Sequence, residues 1–244
     1  MSANFDLMQH SADPHVPETA FGKWFLRTNT WTVHVLERAL NDLQRLMAGE
    51  PGDVRHYPVV ADVGCGFGRS LGQLQTRFVP ERLIAMDIDP EMLQASAKEV
   101  ARLGIKAEFI CCSSSNIKLE DNSVDLLFCH QTFHHLIDQE RAIEEFFRVL
   151  KPGGVLLFAE STRRYIHSWI IRLLFRHPMD VQKTAPEYLA LVRGAGFAVP
   201  DSAVSYPFLW WSRADLGMLE SVLRIKPPAV REETLINLVA RKPV

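Results

Sequence analysis

The sequence predicts an α/β fold in which a parallel, doubly wound sheet carries helices on both faces, and three observations predict it. The apolar run Val59-Val60-Ala61-Asp62-Val63 passes directly into the glycine turn Gly64-Cys65-Gly66-Phe67-Gly68, and a helical pattern follows from Arg69 to Phe78. Short apolar runs then alternate with helical patterns as far as Ala159. Finally, the next run, Arg82 to Met86, ends in Asp87, which lies 19 residues beyond Gly68, where the second strand of such a fold delivers a carboxylate to ribose hydroxyls.

The spacing of the glycines restricts the ligand. A dinucleotide fingerprint G-x-G-x-x-G needs glycine at position 69, and the chain has Arg69, with its third glycine one residue early at Gly68. Asp62 places a carboxylate at the strand tip, where it meets a ligand ammonium well and repels a pyrophosphate. A dinucleotide oxidoreductase is therefore the weaker reading of this loop.

The remaining elements follow in order. Residues 1–20, with Pro14 and Pro17, read as a leader. Val35, Leu36, Ala39, Leu40, Leu43, Leu46 and Met47 fall at helical spacing, and Gly49-Glu50-Pro51-Gly52 ends the run. Phe21, Trp24, Phe25 and Trp31 precede it, either covering a cleft or pinning the helix to the domain. A boundary at residues 52/53 separates this leader and helical cap from the main domain, 53–244. Pro90 suits the first turn of a helix from Glu91 to Leu103, with Asp89 placed to cap it and Gly104 to end it. Ala107 to Cys111 is the third strand and Val124 to Cys129 the fourth, which leads into His130-Gln131-Thr132-Phe133-His134-His135. A helix from about Gln139 to Leu150 stops at Lys151-Pro152-Gly153-Gly154, and Val155 to Ala159 forms the fifth strand. Later strands open at Ala195-Gly196-Phe197 and run from Thr234 to Ala240.

Composition excludes several function classes. With Lys+Arg 27 against Asp+Glu 29 in 244 residues, the formal net charge of −2 gives no global footprint for nucleic acid. No apolar run approaches the roughly 20 residues of a membrane span, and no secretory leader is expected. Cys65, Cys111, Cys112 and Cys129 lack the paired spacing of a zinc site and read as reduced thiols of a cytoplasmic protein, so no metal is expected.

Taken jointly, Asp62-x-Gly64-x-Gly66-x-Gly68, Asp87, the His-rich end of the fourth strand and Leu150-Lys151-Pro152-Gly153-Gly154 resemble the class I S-adenosylmethionine (SAM)-dependent methyltransferases. Within them the chain is most similar to the small-molecule subgroup related to ubiquinone and menaquinone biosynthesis. The resemblance implies a Rossmann-like seven-stranded sheet, mostly parallel, whose last strand is antiparallel. It implies SAM as cofactor, S-adenosylhomocysteine as product, and cofactor contacts from Asp62, Gly64, Cys65, Gly66, Gly68, Asp87, Ile88, Ser113, Ser114, His130 and Gln131. Asp62 would meet the methionine end and Asp87 the ribose. The family usually carries an acid for the adenine amino group after the third strand, and here Ser113-Ser114-Ser115-Asn116 stands instead, leaving that contact to hydroxyls or backbone.

Insertions near 161–183 and 206–232 are where the family commonly builds its acceptor pocket. Tyr165 to His177 reads as a basic amphipathic helix with Ile166, Trp169, Ile170, Leu173 and Leu174 on one face, covering a substrate or a membrane surface, or packed on its own domain. Tyr206-Pro207-Phe208-Leu209-Trp210-Trp211, followed by a helix from Ala214 to Leu223, favours an apolar or aromatic small molecule. Transfer from a sulfonium to oxygen or carbon is an in-line displacement for which a base is optional. His134 and His135 are the candidate bases, of which adjacent positions allow at most one to face the acceptor, and each has a structural reading beside the catalytic one. Glu160 and Tyr165 are weaker candidates for the cleft. A non-catalytic SAM-binding scaffold remains the competing reading, and the sequence is silent on oligomeric state.

Overall fold

The computed structural model describes residues 16, 18–48, 56–213, 216, 218–226 and 233–244. The glycine cluster at 49–52, the 52/53 boundary, most of the leader and part of the 206–232 insertion lie outside them.

Seven strands form one sheet: β1 (Val59–Val63), β2 (Arg82–Asp87), β3 (Glu108–Cys111), β4 (Val124–His130), β5 (Leu150–Ser161), β6 (Val204–Ser205) and β7 (Leu235–Arg241). Their order is β3-β2-β1-β4-β5-β7-β6. The first five are mutually parallel, and β7 runs antiparallel to both β5 and β6. This is the doubly wound, mostly parallel Rossmann-like sheet with one antiparallel strand that the sequence predicted. The order reverses between β1 and β4, so the crevice at their carboxyl ends is a topological switch point.

Ten α-helical segments are described: α1 (Ala20–Phe25), α2 (Asn29–Trp31), α3 (Glu37–Ala48), α4 (Arg69–Phe78), α5 (Pro90–Arg102), α6 (Gln139–Val149), α7 (Arg163–Ile166), α8 (Trp169–Leu174), α9 (Ala185–Gly194) and α10 (Met218–Ser221). One apolar layer joins α3, α4 and α5 to the sheet through Leu40, Leu43, Leu71, Leu74 and Leu93; a second joins α6 and α9 to the opposite face through Ile143, Phe146, Tyr188 and Val192. β1 is buried on both faces, as its unbroken apolar run requires.

Three elements differ from the sequence reading. The segment 165–177 is two short helices, because the chain turns at His167-Ser168; Ile166 and Ile171 are buried while Trp169 and Leu173 are 68% and 73% exposed, so the expected apolar face is not the packed one. Ala195-Gly196-Phe197 opens only a single bridge, Ala198 to Arg241, before Pro200 and a 3₁₀ turn at Asp201–Ala203 delay β6 to Val204. The fifth strand begins earlier than Val155, since Leu150 already pairs with Val124 ahead of an irregularity in the ladder.

Candidate active site

The glycine turn is fixed from below and open above. The N–H groups of Gly64 and Cys65 both donate to the Met86 carbonyl, which lashes the turn to the end of β2. Gly64, Gly66 and Gly68 have φ of +71°, +52° and +75°, in the left-handed region that favours glycine. A Cβ at Gly64 would lie 2.2 Å from the Thr132 side chain and one at Gly68 2.4 Å from Ser96 Oγ, whereas one at Gly66 would meet nothing within 4 Å. Gly66 is thus the place where the backbone is left bare toward a ligand. These glycines form part of a cavity of about 430 Å³ at the carboxyl ends of the parallel strands.

Among the acids that line that cavity, Asp62 and Asp87 flank the glycine turn. Asp62 is 2% exposed and accepts a short hydrogen bond from Ser70 Oγ of α4. Burial pushes its carboxyl up to about 7, with the Ser70 hydroxyl opposing and the charge of Asp87 adding to the rise. Asp87 ends β2 and accepts from Gly66 N–H at 2.8 Å and from Asp89 N–H at 2.9 Å, so an acid that lines the cavity also holds the loop. Burial raises it too, against the pull of those amides. Asp89 caps α5 through the amides of Glu91 and Met92, the capping role that the sequence suggested for it.

Cys65, Ile88, Ser113 and Ser114 also line this cavity. The Cys65 thiol is pushed well up by burial, which keeps it a protonated wall group. The hydroxyl of Ser113 bonds locally to Ser115 Oγ at 2.8 Å. The far wall is the end of β4. Gln131 takes φ +52°, with its N–H bonded to the Ala159 carbonyl and its Oε1 receiving the Ser161 hydroxyl at 2.6 Å. A non-glycine residue in that conformation, held from two sides on a cleft wall, is a strained position of the kind that clusters at functional sites.

The histidines divide. His130 is 7% exposed, stacks on Phe128 with centroids 5.7 Å apart, and its Nε2 has no hydrogen-bond partner among the described residues. Burial lowers it to about 4, so the ring is neutral near pH 7. His135 lines the cavity, and burial together with its neighbours His134 and His177 holds it well below its ordinary value. His134 stands off the cavity wall: its Nδ1 lies 2.6 Å from Glu160 Oε2, both side chains being buried. Glu160 likewise stays out of the cavity and receives the amides of Thr132 at 2.9 Å and Phe133 at 2.8 Å, fixing the turn after β4. Tyr165 packs edge-on against Trp211 with its phenol raised by burial.

A second cavity of about 340 Å³ shares His130 and Gln131 with the first. Tyr206, Phe208 and Trp211 line it on one side, and Arg38, Asp42 and Asn237 on another. The sequence pointed to this aromatic segment but not to Arg38 and Asp42, whose positions on an amphipathic helix look merely solvated. It also missed Glu18 and Thr132 in the first cavity. Thr132 had a signal, its place directly after a strand end; Glu18 had none. Of the early aromatics, Trp31 reaches the cavity, while Phe21 and Phe25 pack on Phe175.

A doubly wound sheet with an acid-flanked glycine turn at its switch point is an arrangement that binds nucleotide-like cofactors. Residues 61–158 match a family model described as a methyltransferase domain. An uncharacterized methyltransferase-like protein of Schizosaccharomyces pombe is 33% identical over 147 residues, covering 57% of this chain and 54% of the relative. A malonyl-[acyl-carrier protein] O-methyltransferase of Marinomonas sp. is 32% identical over 117 residues, covering 48% of this chain and 42% of that protein. The chain thus spans about half the length of these curated relatives. A SAM-dependent methyltransferase from Aquifex aeolicus has the same fold, with a TM-score of 0.61 at 21% identity over 90% of this chain and 96% of that one. The matched segment, residues 61–158, is that of a methyltransferase domain, and SAM is the cofactor such a domain uses.

Proposed function

We propose that the protein transfers the SAM methyl group to oxygen or carbon of a small, largely apolar molecule in the cytoplasm, and that the two cavities divide the substrates. SAM takes the first: Asp62 faces the methionine ammonium, Asp87 the ribose, the bare backbone of Gly66 the cofactor body, and Ser113 and Ser114 the adenine end. The acceptor takes the second. The observation that carries this reading is the pair His130 and Gln131, which belongs to both cavities and marks where methyl donor and acceptor meet. The aromatic wall of Tyr206, Phe208 and Trp211 suits an apolar or planar body.

In-line transfer asks the protein for alignment and for exclusion of water. The neutral His130 ring, with Nε2 unpartnered, can accept a hydrogen bond from an acceptor hydroxyl there, and His135 is the cavity's other imidazole. All four cysteines are free thiols, in keeping with a reducing compartment. Among the described residues no helix is long and apolar enough to cross a membrane. The relative that methylates malonyl-[acyl-carrier protein] supports oxygen as the atom methylated. Labelled methyl transfer from SAM, scored across panels of phenols, quinols, carboxylic acids and amines, tests the proposal. Turnover is expected with an aromatic or apolar hydroxyl, carboxylic or activated carbon acceptor; tight product binding with no transfer to any panel would establish a scaffold instead.

A further inference from the structure

Beside the cofactor cavity, three imidazoles converge. His134 and His135 lie on the 3₁₀ turn after β4, and His177 lies on the chain that follows α8. Their ring centroids are 4.4, 5.1 and 4.7 Å apart, and one nitrogen from each falls within 4.8 Å of the others. Among the described residues no hydrogen bond joins one of these rings to another. We propose that His134, His135 and His177 form a binding site for a divalent transition-metal ion of the zinc class.

Several independent features make this a built site. His134 turns its Nδ1 to the buried carboxylate of Glu160 at 2.6 Å, which leaves Nε2 as the nitrogen free to ligate. A carboxylate behind a histidine in this way fixes ring orientation and raises ligand basicity at metal centres. Glu160 is itself held by two backbone amides and cannot swing away. The two limbs are stapled together: buried Gln182 donates through Nε2 to the His134 carbonyl at 2.7 Å and to the Pro178 carbonyl at 2.8 Å, so the residues on either side of the trio share one anchor. Three uncharged nitrogen donors without thiolates suit zinc, cobalt, nickel or iron rather than calcium or magnesium. Tetrahedral coordination at roughly 2.0–2.1 Å places ligand nitrogens about 3.4 Å apart, so the trio needs to close by no more than about 1.4 Å.

The open fourth position falls on the cavity side. Of the three rings, His135 lines the cofactor cavity, and the Glu18 carboxylate stands 3.9 Å from its Nε2. Glu18 lines the same cavity, so Glu18 or an oxygen donor in the cleft would complete the coordination. A three-nitrogen site with one exchangeable position is the arrangement of reactive rather than purely structural zinc.

The site is tested on full-length, untagged protein stripped with chelator, by titrating Zn²⁺ in competition with a chromogenic chelator and by recording the visible spectrum of the Co²⁺ form. One equivalent per chain is expected, with the intense visible bands of tetrahedral cobalt. His177→Ala is expected to weaken zinc binding at least about 100-fold and to remove those bands, and Glu160→Gln to weaken it by about 10- to 100-fold. His56→Ala, an exposed histidine elsewhere, should change nothing. Far-ultraviolet circular dichroism and S-adenosylhomocysteine affinity confirm that the His177 variant is folded. Absence of a stoichiometric ion up to about 100 μM of each metal, or equal affinity in the His177 and His56 variants, would overturn the proposal. The metal titration itself contains neither cofactor nor acceptor, so its failure is distinct from failure of the methyl-transfer reading.

Discussion

Lowering the pH should release SAM through a single buried acid. Asp62 is held at about 7 chiefly by burial, and a ligand ammonium beside it would return it toward its ordinary range. The cofactor-free protein therefore carries a proton on Asp62 below pH 7 that must leave when the cofactor binds. Binding follows the ionised fraction, so affinity is nearly constant above pH 7.5 and falls by about tenfold at pH 6 and about 100-fold at pH 5, each pKa unit corresponding to about 1.4 kcal/mol. The cavity's imidazoles do not blur this window, because His130 is lowered to about 4 and His135 is also pushed well down. Calorimetric titration with S-adenosylhomocysteine, which keeps the ammonium, measures the slope, and repeating it in buffers of different ionisation enthalpy counts the released proton. Asp62→Asn should bind more weakly at pH 8 and lose the dependence between pH 5 and 7. A flat profile in the wild type, or an unchanged slope in the variant, would refute the pairing of Asp62 with the ammonium. The stability sign runs the other way. An acid raised in the folded state contributes stability below its unfolded value that is lost as pH rises through 7, so cofactor-free Asp62→Asn should unfold at a higher temperature than wild type at pH 8 and lose that advantage near pH 4.

Four other outcomes separate the roles of neighbouring residues. Asp87→Ala should weaken cofactor binding by roughly 1–3 kcal/mol and also lower the melting temperature, since the amides of Gly66 and Asp89 lose their acceptor; unchanged calorimetric affinity in the folded variant would remove the ribose role. Gly68→Ala, which meets Ser96 backbone at 3.0 Å, should chiefly reduce stability, and Gly66→Ala chiefly cofactor affinity, as thermal melts beside binding isotherms would show. In chelator-stripped protein, His135→Ala should lower turnover by about 10²-fold if that imidazole serves as base, with melting little changed. His134→Ala leaves Glu160 Oε2 without its hydrogen-bond partner and should cost about 1–3 kcal/mol of stability by denaturant unfolding.

Much of the fold was legible because the signals are local. The apolar run of β1, the glycine turn and the spacing to Asp87 lie within thirty residues, and a parallel sheet leaves few topologies once those are set. The histidine pair was legible as a position but not as an orientation. Which of His134 and His135 faces the cavity depends on Glu160, 26 residues further along the chain from His134, and no periodicity in a three-residue turn reports that contact. The helix expected at 165–177 failed for a related reason: its apolar residues fit one helical face, but the turn at His167-Ser168 breaks the register, and packing rather than pattern chose Ile166 and Ile171 for burial.

That break in register also helps to shape one wall of the first cavity. A continuous helix from 165 to 177 would carry His177 along its own axis; the break allows the chain after α8 to fold back, where Gln182 fastens it to the His134 turn and Thr19 fastens the N-terminal segment to the Leu174 carbonyl. Glu18 and His135 arrive from remote stretches of sequence at one wall of the first cavity, with His177 packed against His135. The glycine-turn half of that cavity is written into one contiguous motif, while the half beside the trio is assembled from long-range hydrogen bonds. Gln182→Leu is therefore expected to leave S-adenosylhomocysteine affinity within about twofold of wild type while weakening zinc binding at the trio by about tenfold, the same order as loss of a group that orients a ligand. Equal losses in both isotherms would show that the two halves of the site are not separable.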